Sequence, residues 1–226
     1  MDIDVICLTK TSNEDLYLMT LRTLGMLHDS EKDYTFKVHL IESGKPHDYS
    51  NLVTNYITPD IPFNYNKFIN LCYPYITSDW VLVINNDVRF ERGWFSKIVE
   101  TYNKRPDIET FSPKCPILYT DFFFHHFVGT NEDYCESYKV TEFLTGWCLV
   151  MKRRVFDLLY PWDEQFDMYY QDNDYAERLE LLGIKHALVR DSIVVHLGSK
   201  TANRKFDETK FKQDELKFRT KWNIWD

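Results

Sequence analysis

The run Trp80-Val81-Leu82-Val83-Ile84 is apolar at every position and stops at once in Asn85-Asn86-Asp87. A strand with apolar side chains on both faces must be covered on both, which places it inside an α/β sheet rather than in a half-solvated antiparallel one. Its polar end then falls at the carboxyl edge of the sheet, where open α/β folds hold their ligand crevice. Asn and Asp also favour turns for purely local reasons, so position alone leaves Asn85-Asn86-Asp87 open between a binding edge and a plain turn.

The flanking pattern is that of alternating strands and helices. Residues 3–8 read as a buried strand, and Leu16, Met19, Leu21, Leu24 and Leu27 form the apolar stripe of a following helix. Residues 36–41 give a second strand that ends at Glu42-Ser43-Gly44, and residues 45–62 read as loop. Phe68, Ile69, Leu71 and Cys72 predict a helix, 94–102 another, and 109–113 a short strand, while 115–140 is aromatic and irregular. A strand interrupted by Gly146 is predicted over 142–151, a helix over 154–160 stopped by Pro161, and a helix through Tyr175, Leu179 and Leu182 that Gly183 closes in the left-handed conformation. Residues 187–189 and 192–195 are two late strands. With no repeat or linker, one α/β domain is expected.

The seven glycines are too scattered for G-x-G-x-x-G or a P-loop, and neither H-E-x-x-H nor G-x-S-x-G occurs. A diphosphate bound here would lack a glycine cradle and would need a metal ion. The five cysteines are odd in number and contain no C-x-x-C, which argues against a disulfide framework or structural zinc and for a reducing compartment. Met1-Asp2-Ile3-Asp4 has no basic or apolar leader character, and no stretch approaches the roughly 18 apolar residues of a membrane span. A cytoplasmic chain, bacterial or in a phage-infected cell, is the expectation. The net charge of -8 repels polyanions. Residues 200–226 carry eight basic and five acidic side chains, a net of +3 that leaves -11 on residues 1–199. They are expected to form a solvated helix packing through Phe206, Phe211, Leu216 and Phe218, with diphosphate or DNA contacts by its basic residues as further readings.

The pattern Phe63-Asn64-Tyr65-Asn66-Lys67-Phe68-Ile69-Asn70 precedes Thr77-Ser78-Asp79 and the strand to Asp87. It is followed by Thr145-Gly146-Trp147-Cys148, Trp162-Asp163-Glu164-Gln165-Phe166, Gln171-Asp172-Asn173-Asp174 and Val195-His196-Leu197-Gly198-Ser199. This ordered series resembles the family 2 glycosyltransferases of the GT-A fold over roughly residues 3–199. The resemblance implies a single GT-A domain over 1–199, a Rossmann-like α/β unit with a mixed central sheet flanked by helices, and a C-terminal extension over 200–226 packed on it. It also implies an inverting hexosyl- or pentosyltransferase that uses a nucleotide sugar, expected to be a UDP-sugar, with Mn²⁺ or Mg²⁺.

Residue by residue, the resemblance makes Asp172 the catalytic base, Asp87 and His196 metal ligands, and Thr9, Glu42, Asn66 and Asn86 nucleotide-binding residues. Gly146, Trp147, Asp163, Glu164 and Asp174 become substrate or acceptor residues. Two positions depart from the family: Asn85 stands where its metal motif has a first acid, and Gln171 where the catalytic helix opens with Glu. Inversion asks for one carboxylate base and charge relief on the leaving diphosphate, so a single active acid suffices.

Five of these residues also have a purely structural reading. Asp172 would cap a helix, Asp174 would pair with Arg178 one turn on, Trp147 would pack in the core, Glu42 would sit in a solvated turn, and His196 would be a satisfied strand-end histidine. Acceptors left open are a glycan, a lipid-linked saccharide and a hydroxymethylated base in phage-type DNA. A catalytically inactive GT-A-like module that binds sugar nucleotides or a protein is the alternative of a different class.

Overall fold

The computed structural model describes residues 1–117, 132–166, 168–198 and 207–225. At the centre lies β1 (Asp2–Thr9), flanked in parallel by β2 (Thr35–Glu42) and β4 (Trp80–Asn85), with Val5 opposite both Val38 and Leu82. Because side chains alternate along a strand, Ile3, Val5, Cys7, Trp80, Leu82 and Ile84 face one core, and Ile6, Leu8, Val81 and Val83 face the other. The continuous apolar run of β4 is thus two half-cores read in alternation.

The first core is closed by α1 (Glu14–Asp29) and α3 (Trp94–Lys104), which bring Leu24, Leu27, Trp94, Phe95 and Ile98. The second is closed by α2 (Tyr65–Cys72), α4 (Arg153–Leu159) and α5 (Gln171–Leu181), through Phe68, Phe156, Tyr175 and Leu179 among others. Asn13 and Asn64 cap α1 and α2 by accepting the N–H of Leu16 at 3.0 Å and of Lys67 at 2.8 Å. Gly183 ends α5 with φ +65°, as its position predicts.

Beyond β4 the sheet becomes mixed. β8 (Cys148–Lys152) runs antiparallel to β4, β6 (Ile108–Lys114) antiparallel to β8, and β9 (Lys185–His196) parallel to β6. Two three-residue strands, β5 (Val88–Phe90) and β7 (Tyr134–Glu136), pair antiparallel with successive parts of β9, and β3 (Asn55–Ile57) adds to the β2 edge. The expected pair of late strands is one strand, irregular where Pro113 pairs with Val189 but Lys114 with Ile193. The strand expected from residue 142 starts only at Cys148; Thr141, at φ 70°, and the residues up to Trp147 form turns. Part of the 115–140 stretch lies outside the described residues.

The C-terminal extension is helical, as α6 (Glu208–Trp222), and packs on the same domain through Phe218, which touches Phe166, and through Phe211. Leu216, expected on the buried face, is 57% exposed, because the inward face carries 211, 214 and 218 at helical spacing and 216 lies across the helix from 214. Phe206, Ser199, Lys200, Arg204, Lys205 and Asp226 lie outside the described residues. Among the described residues no helix is long and apolar enough to cross a membrane.

Candidate active-site cleft

The ends of β4 and β9, the turn before β8 and the start of α5 enclose a cleft of about 800 Å³ whose walls include Asn85, Gly146, Trp147, Asp172 and His196. Asp172 occupies the second position of α5. The residue before the helix is Tyr170, at φ 62° and ψ 5°, and it makes no side-chain cap. Asp172 is therefore not the N-cap residue, although its Oδ1 accepts the first-turn N–H of Asn173 at 3.0 Å, and its side chain also lines the cleft. Burial raises the Asp172 carboxyl above the ordinary carboxylate range, against the opposing pull of nearby backbone N–H groups, including that of Gly146. A Cβ at Gly146 would sit 3.2 Å from the Asp172 Cβ and 3.4 Å from its Oδ2, so this glycine sets how closely the loop before β8 approaches the carboxylate.

Opposite Asp172, pairing of β5 with β9 puts Val88 beside His196, and this brings Asp87 against it, with Nε2 3.2 Å from Oδ1. Trp147 stacks parallel on the His196 ring at 5.4 Å and 9°. Trp147 is 7% exposed and packs in the core, yet it also lines the cleft, where it stacks on His196. A carboxylate oxygen and an imidazole nitrogen are donor types that divalent cations accept, and here the two lie 3.2 Å apart, close enough to hydrogen-bond to each other. No cluster of three or more such ligands exists among the described residues, so they would hold an ion that takes its remaining ligands from phosphate oxygens and water, as Mg²⁺ sites commonly do.

The other expected residues lie elsewhere, and their side chains are spent on the scaffold. Thr9 and Glu42 do close β1 and β2, but Glu42 is 1% exposed, and its Oε1 accepts the N–H groups of Thr11 at 2.7 Å and Gly44 at 2.5 Å. It is a buried staple between two loops and not an acid in a solvated turn. A side chain at Gly44 would collide with the Thr11 carbonyl oxygen, which is why this crossing needs glycine. Asn86 turns its amide inward to Thr9 and Thr20 at 3.0 and 2.9 Å. Asn66, 1% exposed, donates to the Asp163 carbonyl at 2.8 Å and so positions that loop.

Asp163, Glu164 and Asp174 are likewise removed from the cleft wall. Asp163 pairs with Lys221 at 2.8 Å, and Glu164 accepts from Asn70 at 3.1 Å. Asp174 pairs not with Arg178 but with Lys221 at 2.6 Å, and accepts from Trp222 Nε1 at 2.9 Å. Tyr169 and Tyr170 line the cleft without having been singled out, as do Tyr65, read only as part of a pattern, and Phe211, read only as a packing residue. For Tyr169 and Tyr170 the only sequence signal is aromatic density, which most of this chain shares.

No family model and no curated protein matches the chain. Solved structures do. A mannosyltransferase from Pyrobaculum calidifontis, in complex with GDP-Man and Mn²⁺, superposes with TM-score 0.68 at 14% identity over 99% of this chain and 64% of its own. GalNAc-T7 with UDP, GalNAc and Mn²⁺ gives 0.71 at 10% identity over 96% and 48%. S. aureus TarS 1-349 gives 0.61 at 12% identity over 86% and 59%. The chain thus spans between 48% and 64% of the length of these structures. The strand order, the cleft at the carboxyl edge of the sheet and these likenesses together establish that the chain has the GT-A fold of nucleotide-sugar glycosyltransferases.

Proposed function

We propose that this protein is an inverting glycosyltransferase that moves a sugar from a nucleoside-diphosphate sugar, with a UDP-sugar as the expected donor, to an acceptor hydroxyl. The observation that carries the reading is one cleft lined by both Asp172 and His196, with the buried Asp87 behind the wall at 3.2 Å from the His196 ring. Asp172 takes the proton of the acceptor hydroxyl, whose oxygen bonds to the anomeric carbon as the nucleoside diphosphate leaves from the opposite face with the bonding electrons. Mn²⁺ or Mg²⁺ on Asp87 and His196 would neutralise the charge of the departing diphosphate. The five cysteines are free, which suits a reducing compartment such as the cytoplasm.

The acceptor is an uncharged saccharide, free or lipid-linked, rather than DNA. Phe63, Tyr65, Tyr169, Tyr170 and Phe211 line the cleft, and no Lys or Arg does so among the described residues. A nucleic-acid groove combines such rings with cations along the backbone path. A catalytically inactive binding module is the second reading, and Asn85 in place of an acid is the observation that favours it.

Incubation with Mn²⁺ and UDP-, GDP- and dTDP-sugars, with and without oligosaccharide acceptors, separates the two. Turnover by the wild type, with Asp172→Asn slowed about 10²–10⁴-fold at donor affinity within about twofold, is expected. Donor binding without turnover would leave the inactive module, and near-normal transfer by Asp172→Asn would remove it as the base.

A further inference from the structure

We infer that the C-terminal helix completes the cleft, with Asp214 as a positioning residue that holds the Tyr169–Tyr170 turn and, through it, the Asp172 carboxylate. The inference rests on the glycosyltransferase reading for its kinetic consequences, though not for its structural ones.

The turn that presents Asp172 holds a costly backbone conformation. Tyr170 adopts the left-handed conformation that non-glycine residues avoid, and α5 begins without a side-chain cap. Such a conformation persists only where its surroundings over-determine it. Here the surroundings are α6. The Asp214 carboxylate, fully buried, accepts the Tyr169 N–H at 3.3 Å through Oδ2 and takes Lys217 Nζ at 2.6 Å on Oδ1. The rings of Phe211 and Phe218 lie 5.3 and 5.2 Å from that of Tyr170, and Phe211 also meets Tyr169 edge-on at 5.5 Å while lining the cleft. On the other side of Asp172, two residues along α5, Asp174 is gripped by Lys221 and Trp222 of the same helix. α6 therefore holds the chain immediately before and after the proposed base.

Burying two carboxylates is a costly way to dock a helix that apolar residues alone could seat. Buried, hydrogen-bonded charges instead fix one register, because each has a single set of partners that satisfies it. At Asp214 and Asp174 that register is the one that aims Asp172.

The test uses the full chain and whichever UDP-, GDP- or dTDP-sugar the wild type turns over. Asp214→Ala is expected to lower kcat at least tenfold with UDP–Mn²⁺ affinity within twofold, to move the acidic limb of the pH–rate profile, and to speed hydrogen exchange at the Tyr169 amide at least tenfold while α1 amides stay protected. Asp214→Asn, which keeps an acceptor oxygen, should recover most of both, and Leu216→Ala on the exposed face should change neither. Should Asp214→Ala not fold, Phe211→Leu is read in its place with the same expected split. Unchanged kcat and unchanged Tyr169 exchange would overturn the inference, as would a loss of kcat matched by equal loss of donor affinity. If the wild type turns over no donor, the functional reading fails, while Tyr169 exchange still decides the brace.

Discussion

At Gly146 the absence of a single carbon decides how Asp172 can sit. A methyl there would press on the Asp172 side chain at 3.2–3.5 Å, tight enough to shift the carboxylate by a few tenths of an ångström yet not to unfold anything, since the glycine is not among those with positive φ. Proton transfer is sensitive to such displacements. Gly146→Ala should lower kcat about tenfold and leave the melting temperature within about 2 °C of wild type, as parallel kinetics and calorimetry would measure. A fall in stability without loss of rate would instead make the glycine a packing requirement. The residue types at this site were legible in the sequence, since Asp172, Gly146, Asp87 and His196 are all named by their motifs. What each touches was not, because Asp87 meets His196 only through the pairing of β5 with β9, and Asp174 finds Lys221 on a helix outside the resemblance.

Legibility among the elements follows length and periodicity. Apart from β9, read as two strands, the long strands and helices announced themselves by apolar pattern, whereas β3, β5 and β7 have three residues each and exist because a neighbouring edge, chiefly that of β9, offers them unpaired backbone groups. β9 itself carries a buried histidine. His186 sits with Nδ1 3.0 Å from the Thr110 hydroxyl and Nε2 3.3 Å from the Phe143 carbonyl, tying β9 to β6 and to the turn before β8. Burial lowers its pKa from 6.5 to about 4, only partly offset by the Phe143 carbonyl. Between those two values the unfolded chain binds the proton and the folded chain does not, so stability is full above pH 6.5 and falls as pH drops toward 4. Urea unfolding at pH 7 and pH 5 should differ by roughly 2 kcal/mol from this residue, and His186→Gln should remove most of that difference while lowering stability at pH 7. An unaltered pH slope in the variant would assign acid sensitivity to other groups.

Over the whole molecule, charge decides which acceptors can approach. The sequence places a net of +3 on residues 200–226, which read alone suggests a surface for phosphates. The fold spends much of that charge internally: Lys212 pairs with Glu208, Lys217 with Asp214, Arg219 with Glu215, and Lys221 with both Asp163 and Asp174, at 2.6–3.0 Å. A cation already held by a carboxylate gains little from a phosphate, because the protein must give up one ion pair to form the other. The remaining field is that of a chain with net charge -8, which opposes a polyanion at every distance inside the Debye length. Affinity for duplex DNA comes mainly from counterions released as phosphates are neutralised, so a chain of net charge -8 whose described C-terminal cations are largely paired should bind weakly and with little salt dependence. Fluorescence anisotropy with a labelled short duplex is therefore expected to give a Kd weaker than about 10⁻⁴ M, barely changed between about 50 and 200 mM salt. A micromolar Kd that weakens with a log–log slope of about -3 or steeper would mean that at least three phosphates are neutralised, and would replace the saccharide with a DNA acceptor.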